Sequence, residues 1–357
     1  MKLKNVDLIY VILLLINIFS ITKGNKQSID NSIKTKDISR KLQSSGSDNY
    51  ISLSFDSGFQ TDTCWYSQIR TKISKVSVNY EEVTGFPISF NIPEGGSVQI
   101  YFNDKLNDLS YFLSYNDDLE EEFIPNECKI DDHFKSHIIT IDLENLDVSE
   151  VTTTAKMFKG YTALTRIYLF NMNTATLLSM NGMFMNCISL NSIDLSNLHP
   201  TQVIDMGYMF AGCSSLESLS LYNFDTSSVT NMEYMFSGCS SLKSFNLFEF
   251  STSSIQNIEG MFHSCISLEY FDAANTNTIS LINMDYMFAN CISLTSVNFF
   301  SFSTTNVETM NFVFYNCSSL VSLNLYYWDT SNIVSMNNMF SECKSLIVLE
   351  IPNFFME

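Results

Sequence analysis

Residues 231–242 read Asn-Met-Glu-Tyr-Met-Phe-Ser-Gly-Cys-Ser-Ser-Leu, and variants of this stretch return again and again after residue 138. A Met-Phe pair, or a near equivalent, recurs every 26 residues without insertion or deletion. The pairs begin at Met157, Met183, Met209, Met235, Met261, Met287, Val313 and Met339. A fixed period of this length is the sequence signature of a solenoid, in which each unit packs on its neighbours.

Each unit contains two apolar patterns with different periods. Met232, Met235, Phe236 and Cys239 are spaced by three, one and three residues, which predicts one stripe of a short helix of about two turns. Asn231 stands where it can cap the first turn of that helix. The next segment has the L-x-x-L-x-L form of a leucine-rich-repeat strand.

The predicted fold is therefore an α/β solenoid of about eight units over residues 138–357. We expect a right-handed superhelix of the leucine-rich-repeat type, with a parallel sheet on the concave side and short helices on the convex side. Strands that stack at about 4.8 Å would make a sheet roughly 35–40 Å long.

The chain before the repeats divides into three predicted segments. Residues 1–24 combine early lysines with a short apolar run and predict a secretory signal peptide; an uncleaved membrane anchor is the alternative. Residues 25–47 are polar and predict a flexible linker. Residues 48–137 alternate apolar and polar side chains in four stretches, which predicts a small β domain that caps the solenoid.

The acidic balance of the chain limits its partners. The formal charge is −19 and the pI about 4.5. Acidic surfaces repel phosphate groups, so nucleic acid is not an expected partner. After removal of the signal peptide we expect no membrane insertion. Localisation is predicted to be secreted or at the cell surface.

Residues 224–242 carry a family resemblance. They follow the pattern F-D-T-S-x-V-x-N-M-x-x-M-F-x-x-C-x-S-L, which resembles the BspA-like leucine-rich repeats of surface proteins. The resemblance extends over about residues 138–357. It implies a secreted or cell-surface protein that functions in adhesion and protein binding, and it implies no catalytic residues.

Seven of the nine cysteines occupy one column of the repeat, from Cys187 to Cys343. A metal site or a disulfide ladder is one interpretation, and a small buried apolar side chain is the other. We favour burial, because no histidine or second cysteine is in register to complete a zinc site. Coils on a helical side are also expected to lie too far apart for disulfides. Outside the column, Cys64 and Cys128 form a candidate disulfide in an oxidising compartment.

The outward positions of the predicted strands form the candidate binding site. They are polar in six units and are followed, two residues later, by aromatic residues in several units. The polar positions are Asp194, Ser220, Asn246, Asp272, Asn298 and Asn324, and the aromatic positions are Phe170, Tyr222, Phe248, Phe300 and Tyr326. Exposed aromatic rows favour a partner-binding surface. The alternative is that the aromatic rings fold over the sheet to complete the core.

Catalysis finds no support in the sequence. The four histidines form no metal motif, and neither a nucleophile elbow nor a phosphate-binding glycine loop is present. We therefore predict a protein that is not an enzyme and needs neither metal nor cofactor. Asn316 belongs to the only glycosylation sequon, Asn-Cys-Ser, and is a candidate glycosylation site.

The sequence thus predicts a secreted or cell-surface binding or adhesion protein that recognises an extracellular protein or carbohydrate through the sheet. The alternative is a structural coat or matrix protein. It would self-associate through the C-terminal end, where the sequence at 351–357 offers no polar cap.

Overall fold

A computed structural model describes residues 50–56, 59–62, 73–78, 81–82, 89–92, 95–102, 136–144, 146–169, 174–196, 198–221 and 224–351. Several predictions concern other residues and lie outside the described part of the chain. They are the signal peptide at 1–24, the linker at 25–47, the Cys64–Cys128 pair, and the binding positions Phe170 and Tyr222.

Six strands precede the repeats, and they include the four that alternation predicted. They are β1 (Tyr50–Phe55), β2 (Phe59–Asp62), β3 (Ile73–Val78), β4 (Glu81–Glu82), β5 (Ser89–Ile92) and β6 (Ser97–Phe102). Strands β4, β3, β6 and β1 form an antiparallel array, and β2 pairs with β5. The expected β structure in this part of the chain is confirmed.

Strand β7 (Ile138–Asp142) joins these strands to the solenoid. It pairs antiparallel with β1 on one side and parallel with β8 (Arg166–Tyr168) on the other. One six-stranded sheet, in the order β4-β3-β6-β1-β7-β8, therefore continues from the N-terminal strands into the first coils. The backbone edge of the first coil is hydrogen-bonded by β1, which removes an exposed edge. The boundary between the two predicted domains stays a prediction.

The later coils stack as parallel strands of three residues. They are β9 (Ser244–Asn246), β10 (Tyr270–Asp272), β11 (Ser296–Asn298), β12 (Ser322–Asn324) and β13 (Val348–Glu350). Paired residues are always 26 apart, as in Ser244 with Tyr270. Strands β9, β10 and β11 form one sheet, and β12 and β13 form another. The solenoid prediction is confirmed.

The predicted helices are wrong. No α-helix occurs among the described residues, and the segment from Met180 to Cys187 is instead a series of turns. Alternate amides bond the next coil, as when Phe184 N donates to Met209 O at 2.8 Å. The amides between them close tight turns, as when Met183 N donates to Met180 O at 3.2 Å. This side of each coil, called the turn face below, is therefore tied to its neighbours by backbone hydrogen bonds.

Two columns of left-handed residues explain why no helix forms. Each unit has a positive φ at two positions four residues apart, for example Gly182 with Asn186 and Tyr234 with Gly238. A left-handed residue every fourth position stops a right-handed helix. Asn231 therefore caps no helix; its Oδ1 accepts a hydrogen bond from Glu233 N at 3.1 Å and holds a turn instead.

The apolar stripe forms one continuous core, as predicted. The Met, Phe, Cys and Leu columns are fully buried from coil to coil, and the Phe rings stack at centroid distances from 5.4 to 6.0 Å. A buried threonine column bridges coils, as when Thr278 Oγ1 donates to Ser303 O at 2.8 Å. In the last described coil Met339 is still buried, whereas Phe340, Cys343 and Leu346 are only half-buried. The described residues include no helix long and apolar enough to cross a membrane.

Candidate binding face

The side of the solenoid that carries β8 to β13, called the strand face below, alternates outward and inward side chains. In β9, Ser244 and Asn246 are exposed while Phe245 is buried. This is the period-two geometry of a half-buried strand. The predicted polar positions all lie on this face. Asp194, Ser220, Asn246 and Asn324 are exposed, and Asp272 and Asn298 are half-buried.

Several of these polar side chains have a structural task. The Oδ1 atoms of Asp194, Asp272, Asn298 and Asn324 each accept a hydrogen bond from the backbone amide two residues later, at 2.8 to 3.2 Å. Such bonds hold the chain in the turn that follows the strand. At Asp194 they hold the pKa of the carboxyl below its ordinary value, through the hydroxyl and amide of Ser196. The carboxylate is therefore ionised at neutral pH.

The aromatic positions do not fold over the sheet to complete the core. Phe248, Phe300 and Tyr326 are exposed by 59%, 51% and 55% of their surface. Tyr327, which the sequence analysis missed, is 54% exposed and packs edge-on against Phe300 and Tyr326 at 5.4 and 5.3 Å. Phe300, Tyr326 and Tyr327 are called the aromatic patch below. Tyr327 lies one residue beyond the predicted aromatic column. A strict alternation of outward and inward side chains would place its ring in the core.

A groove lies on the strand face between β7 and β10. The pairing ends at β8 and resumes at β9, and no strand is assigned in the two described coils between them, at 192–194 and 218–220. Three cavities lie along this interval, of about 650, 100 and 270 Å³. Together they are called the strand-face groove below. Arg166 and Tyr168 line its largest part, and neither was a sequence candidate.

The turn face carries a second ladder of polar and aromatic side chains, which brace the coils. Tyr208 and Tyr234 stack at 5.2 Å, and Tyr234 Oη donates to Glu259 Oε1 at 2.9 Å. Burial and this bond raise the pKa of Tyr234. Asn257 Nδ2 donates to Glu233 Oε2 at 3.0 Å. Because these groups bond one another, the strand face is the better candidate for a partner.

Six cysteines of the column are buried, as favoured, Cys343 is half-buried, and none of the seven is in a disulfide. Each Sγ donates to a backbone carbonyl, as when Cys187 bonds Phe158 O at 3.1 Å. Burial raises the pKa of the Cys213 thiol to about 12. The expected wide spacing of the coils was wrong, because backbone hydrogen bonds join them on this side. No cluster of three potential metal ligands occurs within the described ranges.

The candidate glycosylation site lies on the turn face. Asn316 has a φ of 57°, is half-buried, and donates from Nδ2 to Asn290 Oδ1 at 3.0 Å. The next residue, Cys317, is fully buried. In the folded chain the amide nitrogen that would carry the sugar is therefore engaged between coils.

Comparisons with known proteins give one family match. A model described as "Mycoplasma protein of unknown function, DUF285" matches residues 128–245, 201–296 and 244–349, which together exceed half of the chain. No curated protein matches.

Two solved structures are similar at low identity. A leucine-rich repeat protein from Bacteroides ovatus is 20% identical, with a TM-score of 0.37, over 59% of this chain and 60% of that one. A leucine-rich repeat protein from Eubacterium ventriosum is 17% identical, with a TM-score of 0.31, over 62% of this chain and 49% of that one. This chain thus spans less than two thirds of either. None of the matched descriptions names the BspA-like family, which stays a resemblance.

Proposed function

We propose that this chain, which belongs to the DUF285 family, is a secreted or cell-surface scaffold that binds an extracellular protein or glycan through its strand face. A solenoid of this kind offers one long surface whose outward positions can vary while the core columns stay fixed. The turn face is braced by its own hydrogen bonds, whereas the strand face presents side chains to solvent.

The aromatic patch carries this proposal. Phe300, Tyr326 and Tyr327 expose more than half of their surface and contact one another, so they form one contiguous apolar area. Exposed aromatic clusters lower stability and solubility unless a partner covers them, and aromatic residues dominate the energy of binding interfaces. Phe248 adds a further exposed ring on the same face.

Two further observations support an extracellular location. Residues 1–24 have the pattern of a signal peptide. The cysteine column is also protected, because buried thiols with raised pKa values react slowly in an oxidising compartment. Amino-terminal sequencing of protein recovered outside the cells tests this part; an intact residue 1 in that fraction, or no external protein, contradicts it.

Capture of a partner tests the binding face. The mature chain is immobilised and exposed to extracellular material, beside a variant with Phe300→Ser, Tyr326→Ser and Tyr327→Ser. The three rings are exposed, so the circular dichroism spectrum and Tm should not change, while capture should fall at least tenfold.

A matched control removes exposed apolar surface elsewhere, with Ile204→Ser and Ile282→Ser. These residues are 51% and 39% exposed and lie beside the bridges of the turn face. The control should capture its partner normally. Equal capture by the patch variant and the wild type would refute the aromatic patch as the binding site.

Self-association stays the second candidate. Val334 and Ile347, both in the last described coil, are each 82% exposed. Light scattering of the mature chain tests the candidate: a monodisperse monomer at high concentration removes it. No catalytic role is proposed.

A further inference from the structure

The strand-face groove spans two coils in which no strand forms, together with parts of the paired strands on either side of them. On the turn face, bridges connect Ser179, Asp205 and Asn231 without interruption. On the strand face, no strand is assigned in the coils at 192–194 and 218–220, although both are described. Backbone hydrogen bonds still join these coils beside the groove, as when Glu217 N donates to Asn191 O at 3.4 Å. The groove lies on other coils than the aromatic patch.

The three cavities of the groove connect through shared side chains. The largest includes Arg166, Tyr168 and Asp194 in its lining. Asp194 also lines the smallest, and Leu221 lines both the smallest and the third. The groove thus crosses the coils from β7 to β10. Strand β10 lies four coils after β8, a distance of about 19 Å at the spacing of neighbouring strands.

The groove has a mixed polar and apolar lining, with aromatic rings near both ends. Thr140, Asn191 and Asp194 line its first part, and Ser244 and Asn246 line its last. Hydroxyl, amide and carboxylate groups can exchange hydrogen bonds with a ligand that is itself rich in hydroxyls.

Tyr168 lies at one end of the groove and Tyr270 at the other, each with a little more than a third of its surface exposed. Aromatic rings with one apolar face suit the flat apolar side of a sugar ring. Buried apolar side chains, among them Leu169, Leu195 and Phe245, complete the lining of the groove.

Arg166 sets the charge preference of the groove. Its side chain is exposed, and it makes no ion pair within the described residues. Among the described residues that line the three cavities, it is the only cation. A guanidinium binds a carboxylate through two parallel hydrogen bonds, which a neutral sugar cannot match.

The acid content of the chain limits how much negative charge a ligand can bring. The formal charge is −19, and Asp194 lines the groove beside Arg166. A peptide with several carboxylates would meet repulsion along most of its length. A glycan with one carboxylate at Arg166 and hydroxyls elsewhere would place its charge at the cation and its hydroxyls along the polar wall.

We propose that the strand-face groove binds a linear oligosaccharide, with a carboxylate-bearing sugar seated at Arg166 and the following sugars extending toward Tyr270. The proposal rests on the proposed function only in that the strand face is the binding face. It assigns one ligand class, and the place differs from that of the aromatic patch.

An array of paired oligosaccharides tests the ligand class. Linear uronic-acid-containing tetrasaccharides are displayed beside their carboxyl-reduced, neutral counterparts, together with an acidic peptide of equal length. The full mature chain should retain at least one acidic sugar at least tenfold more strongly than its reduced counterpart. Equal retention of both members in every pair, no retention of any sugar, or retention of the peptide alone would overturn the proposal.

Substitutions at Arg166 test whether the carboxylate-bearing sugar binds at this residue. Arg166→Gln should lower binding of the retained sugar at least tenfold. Arg166→Lys should recover only part of that binding, because lysine keeps the positive charge but lacks the planar guanidinium that donates two parallel hydrogen bonds. Lys243→Gln is the matched control, because it removes the same charge from an exposed residue that borders the strand face without lining the groove. Binding by the control should stay within twofold of wild type.

The outcomes separate the two proposals. Loss of partner capture by the patch variant, with no sugar retained on the array, would remove the glycan site and keep the scaffold. Sugar binding that depends on Arg166, with normal capture by the patch variant, would keep the glycan site and remove the patch. Sugar binding that is insensitive to Arg166→Gln would overturn the assigned place.

Discussion

Truncation of one ring in the phenylalanine column should cost much more in the middle of the solenoid than at its last described coil. The Phe236 ring is fully buried and stacks between Phe210 and Phe262, at 5.8 and 5.6 Å. Phe236→Ala should lower the free energy of unfolding by about 3–5 kcal/mol, the range for a buried Phe whose neighbours cannot collapse into the space. Phe340 is half-buried, and among the described rings it stacks only on Phe314, at 6.0 Å.

The same substitution at Phe340 removes less buried surface and leaves no closed cavity, so a loss of roughly 1–2 kcal/mol is expected. Urea unfolding of both variants, followed by circular dichroism, measures the difference, and an unchanged slope shows that the comparison is valid. Nearly equal losses, or a loss under about 1 kcal/mol for Phe236→Ala, would refute the view that stability is a sum over stacked neighbours.

Three further predictions concern the turn face and the core. Gly260→Ala should lower the Tm, because φ is +55° at this position and a Cβ would lie 2.3 Å from a ring carbon of Tyr234. The added substitution Tyr234→Ala should restore part of the lost Tm. An unchanged Tm in Gly260→Ala would contradict the expected strain. In a variant that lacks the two cysteines outside the repeat, Cys343 should react with a disulfide reagent before the six buried thiols, and seven equal rates would contradict their burial. Burial lowers the pKa of His263, so below the ordinary value of 6.5 the unfolded chain binds a proton that the folded chain does not yet bind. The free energy of unfolding should therefore decrease as the pH is lowered through this range, and it should decrease less in His263→Gln. Identical pH profiles of the two proteins would contradict this contribution.

The repeat and its core could be predicted because both depend on a period that the sequence displays directly. A column that is apolar in eight successive units has to face the interior wherever the units stack. The strands followed from alternation in the same way, and Phe245 and Asn246 face the sides that alternation gave them. These features depend on local pattern and need no knowledge of distant contacts.

The helices were predicted wrongly because the apolar stripe fits two conformations. Spacings of three and one residues place side chains on one side of a helix, and also on one side of a chain of turns with left-handed residues at fixed intervals. The second pattern had a signal, since glycine or asparagine stands at Gly182, Asn186, Gly212, Gly238 and Gly260, all with positive φ. Tyr208 and Phe312 in the same column carried no such signal and are held left-handed by the stacked coils.

The candidate site was predictable only in part. Exposure of Phe248, Phe300 and Tyr326 followed from alternation. The strand-face groove did not, because it depends on how the side chains of neighbouring coils are arranged in space, and the spacing of the repeats is the same there as elsewhere. Arg166 and Tyr168 therefore looked like ordinary strand residues in the sequence.

The central claim is that the coils are joined by backbone hydrogen bonds into one continuous solenoid. The most direct measurement is the scalar coupling through hydrogen bonds in deuterated, isotope-labelled protein, read at the amide of Phe210. The structure predicts coupling to the carbonyl carbon of Met235, whose oxygen lies 2.9 Å from the Phe210 nitrogen. Coupling to the carbonyl of Met206, as in a helix, would contradict the account.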